Sequence, residues 1–368
     1  MVQKPVGIVS YGISVPYHRL AVDEIIDLWK NSALDMIKVT QGVLERSVLD
    51  TDDDSNTLAV DAAKEAFKRT EKASEVEALY YGTCTNPYDS RPSSTMVLEA
   101  LDLPYSTKCC DLQFSLKSGT AALTNAYAMV RAELANQALA IGSDTVNRHT
   151  APGDLLEPYA GAGAGAVVLG TENVICTVDA LESYSSDLSD GFRIEGERYL
   201  RSGMLLGSAK NEVGVDTHTL GAAKALFEKT GLKPEDFTYA VFQQTTPGFV
   251  RHTANLLGFK KEQYLPSIFA DRVGDTGSAS PLIGLAKVLD EAKPGDRIFL
   301  AGYGYGAGAD VFVLTVTEAI EAFRAAAKEA KTRTVEEHLE RKCMVDYKTA
   351  MKMEFKYIRH DYPLNAYL

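Results

Sequence analysis

The chain has 368 residues, of which 45% are hydrophobic and 24% charged, enough to bury a large core and long enough for two domain-sized halves. A formal net charge of −12 excludes a nucleic-acid or anionic-membrane surface as the working face, and it is an awkward balance for coenzyme A phosphates, which favour a basic mouth. No run approaches the roughly 18 apolar residues of a membrane helix. The five cysteines, at 84, 109, 110, 176 and 343, have neither the even count of a disulfide framework nor zinc-ligand spacing.

Taken in chain order, the N-terminus runs straight into an apolar strand with no signal-peptide pattern, which predicts a cytoplasmic protein. Asp52-Asp53-Asp54 reads as a helix-capping turn ahead of Thr57, not a cation site. Ala78 to Gly82 is a strand that ends at Thr83-Cys84-Thr85. Cys109 and Cys110 fall before or within the next strand and read as buried small hydrophobes. Gly119 to Arg131 has helical spacing and leads into the apolar strand Ala138 to Asp144. In the second half, Gly277 to Asp290 leads through Lys293-Pro-Gly-Asp into a strand at Arg297 to Gly302, repeating that unit at nearly the same length. Strands followed by helices predict right-handed crossovers and mostly parallel strands in a layered α/β fold. The glycine-rich segments Gly161 to Gly165 and Gly302 to Gly308 run into β-branched strands instead of opening helices, so they are not nucleotide loops. His18, His149, His218 and His252 share no metal-ligand spacing. Glu318 to Arg341 predicts long exposed helices, and the tail beyond Val345 is unusually aromatic for a chain end.

One turn stands out. Phe114-Ser115-Leu116-Lys117-Ser118-Gly119-Thr120 has the frame of a strand-to-helix elbow, whose free N–H groups would favour a thiolate, yet no nucleophile occupies it. The frame resembles the active-site elbow of the thiolase superfamily, specifically archaeal-type hydroxymethylglutaryl-CoA synthases and ketoacyl synthase III. In that family a cysteine sits where this chain has Leu116, which can be neither deprotonated nor acylated. The resemblance also places Cys84 where the family has its acid/base glutamate, Gln243 in Val241-Phe242-Gln243-Gln244 where it has a histidine, and Asp275 where a Gly-Asn-Thr turn has asparagine. An ionised carboxylate at 275 would repel developing oxyanion charge. Cys84 as a relocated nucleophile would lack a base.

What the resemblance implies is a thiolase-like five-layered αβαβα fold with two pseudo-symmetric halves at 1–170 and 171–330, followed by an aromatic tail at 331–368. Val6 to Gly12, Gly82 to Arg91, Lys117 to Thr120, Asn147 to Asp154, Val241 to Gln244 and Phe355 to Arg359 further resemble the A subunit, lacking the nucleophile, of bacterial diacetylphloroglucinol acetyltransferase complexes. By that likeness the chain is a non-catalytic, structural subunit in the coenzyme A-independent C-acylation of phloroglucinols. Its partners would be a thiolase-like subunit carrying the cysteine, a small OB-fold and zinc-ribbon subunit that could hold zinc, and a second copy of itself. The chain itself would hold no cofactor. Tyr347, Phe355, Tyr357, Tyr362 and Tyr367 are expected as interface anchors. Two alternatives remain open: a condensing enzyme of the hydroxymethylglutaryl-CoA synthase kind, and a stand-alone pseudoenzyme that binds an acyl or phenolic ligand.

Overall fold

The computed structural model describes residues 4–30, 37–70, 75–188, 190–202 and 214–357. Nine strands form its main sheet: β1 (Gly7–Ser14), β2 (Ala78–Gly82), β3 (Lys108–Leu112), β4 (Ala138–Thr145), β5 (Ala162–Gly170), β6 (Cys176–Ser185), β7 (Tyr239–Phe242), β8 (Arg297–Gly304) and β9 (Gly308–Val316). Their order is β7-β8-β9-β6-β1-β5-β4-β2-β3. The sheet is two half-sheets joined where Gly7 and Ile8 of β1 pair with Thr177 and Cys176 of β6. In each half the order repeats, β2-β4-β5-β1 against β7-β8-β9-β6, and β3 has no counterpart among the described residues.

Within this sheet, β2 with β3, β2 with β4, and β7 with β8 pair parallel, while the other five pairings are antiparallel. The expectation of mostly parallel strands is therefore corrected. The reason is local for β8 and β9. Only Tyr305, Gly306 and Ala307 separate them, too short a link for a parallel crossover.

Alternation along the strands assigns the layers. Ala138 and Ala140 of β4 face a central core, and Leu139 and Ile141 face an outer one. Likewise Ile298 and Leu300 of β8 face the central core, with Phe299 and Ala301 on the opposite side. Helices α1 (Ser55–Lys68) and α2 (Gly214–Thr230) cover the two outer faces. Between the half-sheets lie α3 (Ser118–Arg131) and α4 (Ser280–Leu289), which contribute Ala122, Leu123, Ile283 and Leu285 to the central core. Apart from Lys287, every residue of α4 is buried, as expected of a helix apolar on all sides. The layered thiolase-like α/β fold read from the sequence is the fold observed.

Asp54 caps α1 by accepting from the backbone N–H groups of Asn56 and Thr57 at 2.8 and 2.9 Å. The long helices expected over 318–341 are two shorter ones, Ala319–Glu329 and Val335–Glu340. Lys331 in the left-handed region (φ 54°) ends the first, and the Thr334 side chain caps the second. No described helix is long and apolar enough to cross a membrane.

Candidate active site

The elbow forms as its residue types require. Ser115 takes a left-handed backbone (φ 50°), and the Ser118 hydroxyl both accepts from the Phe114 N–H at 2.7 Å and donates to the Ser115 carbonyl at 2.6 Å. The chain thereby reverses within a few residues and starts α3. Glycine is required on two sides of this point. A Cβ on Gly304 would press on the Lys117 backbone nitrogen, and a Cβ on Gly119 or Gly142 would fall on the Ser278 carbonyl oxygen. The glycine-rich segments thus serve close backbone approach at the ends of α3 and α4.

Leu116 is 2% exposed and packs with Val146 and Ala160, against which Cys84, Leu200 and Tyr305 also pack. The position that would carry a nucleophile is an apolar plug. Burial and the neighbouring Asp144 carboxylate push the Cys84 thiol well above its ordinary range, so it stays protonated and is a poor nucleophile at neutral pH. Gln243 follows β7 and donates from Nε2 to the Gly277 carbonyl at 2.7 Å. Asp275 accepts from the Gly277 N–H at 2.8 Å and from the Tyr305 hydroxyl at 2.7 Å. Burial raises the Asp275 carboxyl to about 6 against those two hydrogen bonds, so it keeps its proton well above the ordinary carboxylate range. Leu116, Cys84, Gln243 and Asp275 are therefore brought around one centre, linked through Tyr305 and Gly277.

Sequence reading missed the residue that organises this centre. Asp144, fully buried at the end of β4, accepts at Oδ1 from Thr83 Oγ1 (2.9 Å), Cys84 N (2.8 Å), Thr85 N (3.0 Å) and Thr85 Oγ1 (2.7 Å). Its Oδ2 accepts from Ser278 N at 2.7 Å, so one carboxylate ties the first half to the second. The available signal was an acidic residue just after the apolar run Ala138 to Gly142.

The tail anchors behave differently from one another. Tyr347, in α5 (Tyr347–Met353), donates to the Glu157 carboxylate of its own chain at 2.9 Å and packs in an internal cluster. Phe355 and Tyr357 are 52% and 56% exposed. Tyr362 and Tyr367 lie outside the described residues. Glu354 is fully buried between Arg46 (2.6 Å), Lys356 (3.0 Å) and the Asn147 amide (3.0 Å). Burial alone would raise its carboxyl, and Arg46 and Lys356 outweigh that and hold it below its ordinary value.

An elbow that opens α3, a helix packed between two topologically repeated half-sheets, is the arrangement of the thiolase-like class. Residues 227–316 match the family model for the C-terminal part of 3-oxoacyl-[acyl-carrier-protein] synthase III. The chain is 40% identical over 352 residues to the hydroxymethylglutaryl-CoA synthase of Methanopyrus kandleri, covering 95% of this chain and 97% of the relative. It is 39% identical over 351 residues to that of Methanocaldococcus jannaschii, covering 95% and 99%. This chain belongs to the hydroxymethylglutaryl-CoA synthase family. Its fold matches the solved structure of MvaS in complex with 3-hydroxy-3-methylglutaryl coenzyme A (TM-score 0.83, 21% identity, 97% of this chain and 93% of that one). It also matches 3-oxoacyl-(acyl carrier protein) synthase III from Pseudomonas aeruginosa (TM-score 0.76, 22% identity, 86% and 99%). These relatives overturn the expectation of a structural subunit for phloroglucinol acylation. Similarity to hydroxymethylglutaryl-CoA synthases runs over nearly the whole chain, which favours the synthase-like alternative.

Proposed function

We propose that this chain is a hydroxymethylglutaryl-CoA synthase-like protein that takes the acyl-thioester class of ligand at the head of α3 without forming a covalent acyl-enzyme there. One observation carries the reading: Leu116, buried and apolar, stands where covalent thioester exchange needs a thiolate. Cys84 does not replace it, because its thiol is held protonated. The competing reading, full condensing turnover, is favoured by 40% identity to synthases over 95% of the chain.

Incubating the protein with acetyl-CoA and acetoacetyl-CoA separates the two. The expected result is thioester binding by calorimetry, no acetyl adduct by intact mass, and no release of free coenzyme A. A stoichiometric acetyl adduct, or condensation at a synthase-like rate, would refute the non-covalent reading and establish the condensing one.

Pairing with a second copy belongs to the same reading. It is supported by β3, which ends the sheet with a free edge, and by the exposed side chains of Tyr105 (84%), Leu134 (59%) and Phe114 (39%) near it. Light scattering after gel filtration should give the mass of two chains.

A further inference from the structure

The segment 191–202 crosses the site. Leu200 packs against the Leu116 cluster, and its backbone N–H donates to the His149 carbonyl at 2.7 Å. His149 Nδ1 in turn lies 2.9 Å from the Arg198 carbonyl. The segment is therefore stitched to the short helical turn Val146–His149 that follows β4, with Leu200 lying over the plug. What holds it from the other side is the C-terminal segment. The Arg198 guanidinium donates to the Glu354 carbonyl at 2.7 Å and to the Phe355 carbonyl at 2.5 Å, with a weaker bond from Nε to the Arg148 carbonyl at 3.4 Å. Arg148 lies over the Phe355 ring at 5.3 Å. The tail end of this contact is fixed, because the Glu354 side chain is locked into the buried cluster with Arg46, Lys356 and Asn147.

We propose that Arg198 is a latch through which the C-terminal segment 354–356 holds the Leu200 strap closed over the vestigial site, so that releasing the tail opens the site. Both ends of the latch differ in the way a switch requires. The Glu354 side is buried and fully bonded, whereas Arg198 reaches main-chain carbonyls next to the exposed Phe355, a contact that can break without stranding a buried charge. The strap presents Phe192 and Ile194 to solvent at 41% and 45% exposure, so few apolar contacts oppose its lifting there. The inference concerns access to the site and holds whichever ligand the site takes.

Cys84, partly buried against the same Leu116 cluster as Leu200, is the reporter. Its rate of maleimide labelling, mapped by peptide mass spectrometry in the folded protein, reads strap opening, and the exposed Cys110 and Cys343 in the same sample give the internal reference. Arg198→Ala should speed labelling of Cys84 about tenfold relative to those two, equivalent to ~1.4 kcal/mol of lost closure. Leu200→Ala, which thins the strap without touching the latch, should also speed it. If Leu200→Ala speeds labelling and Arg198→Ala does not, the strap stands and the latch is refuted. If neither does, the strap itself is refuted. Arg198→Lys, which keeps the charge but loses the forked donation to two carbonyls, should fall between wild type and alanine, and a rate equal to wild type would overturn the role given to the fork.

Discussion

The strand ends β2 and β7 occupy equivalent places in the two half-sheets and are finished by different chemistry. After β2, polar groups converge on a single carboxylate, Asp144, which takes five hydrogen bonds from both halves. After β7, two amides do the work. Gln244 accepts from the Phe269 and Ala270 N–H groups at 3.0 and 3.3 Å and donates to the Ser267 carbonyl at 2.6 Å, while Gln243 holds Gly277. Both amides bond nearby main chain of their own half. A buried carboxylate must recruit donors, and Asp144 recruits them across the boundary between halves. Asp275 shows the other outcome: with two donors only, it rises to about 6.

The largest expected effect tests Asp144 as the common hub. Asp144→Ala leaves buried donors from Thr83, Cys84, Thr85 and Ser278 without an acceptor, a loss of about 4 kcal/mol or more at roughly 1 kcal/mol per stranded group. Gln244→Ala should cost less, about 2 to 3 kcal/mol, because its partners are main-chain groups of one half. Denaturant midpoints at constant slope measure both, and equal losses would erase the distinction drawn between the two strand ends.

Next in size is Asp275. Its folded value near 6 lies above the ordinary 3.8, so the folded state keeps this proton longer than the unfolded state does. Unfolding then releases a proton between about pH 4 and 6, and the contribution to stability falls as pH rises through that window, by ~3 kcal/mol in all. Asp275→Asn should remove this slope, making the variant more stable than wild type above pH 6 and not below pH 4. Parallel stability curves for the two proteins across that range would show that Asp275 is not held neutral by burial.

The smallest effect concerns the plug. Leu116→Cys removes buried volume and should cost about 1 to 2 kcal/mol, judged by thermal unfolding. It should gain no condensing turnover, since Cys84 and Gln243 still stand in the other two positions. Substantial product formation from this single change would mean that the centre retains acid/base function through another residue.

Much of this was legible in sequence because it is local. The elbow frame, the Asp54 cap and the close-approach glycines are specified within a few residues of themselves. Asp144 was not, because its five donors come from two distant stretches of chain and no spacing rule connects 83–85, 144 and 278. The excess of antiparallel pairing was partly readable in the short link from Gly304 to Gly308, which the helix-after-strand rhythm obscured. Lys331 broke a helix that composition alone favoured. The functional likeness drawn from the missing nucleophile went astray for a related reason: absent residues at four positions weigh less than similarity spread over the whole chain.

The pairing proposed for this chain turns on β3, which has no counterpart among the described residues of the second half. In the second half, the turn Leu265–Ser267 lies against β7, with Ser267 Oγ donating to the Ala240 carbonyl at 3.3 Å, so that end of the sheet is occupied from within. Among the described residues, the β3 end is the one left uncovered. A sheet with two open ends can propagate into a fibre, whereas one with a single open end can only meet its own image across a twofold axis and stop. On that plan the pair proposed above would close on itself and not propagate.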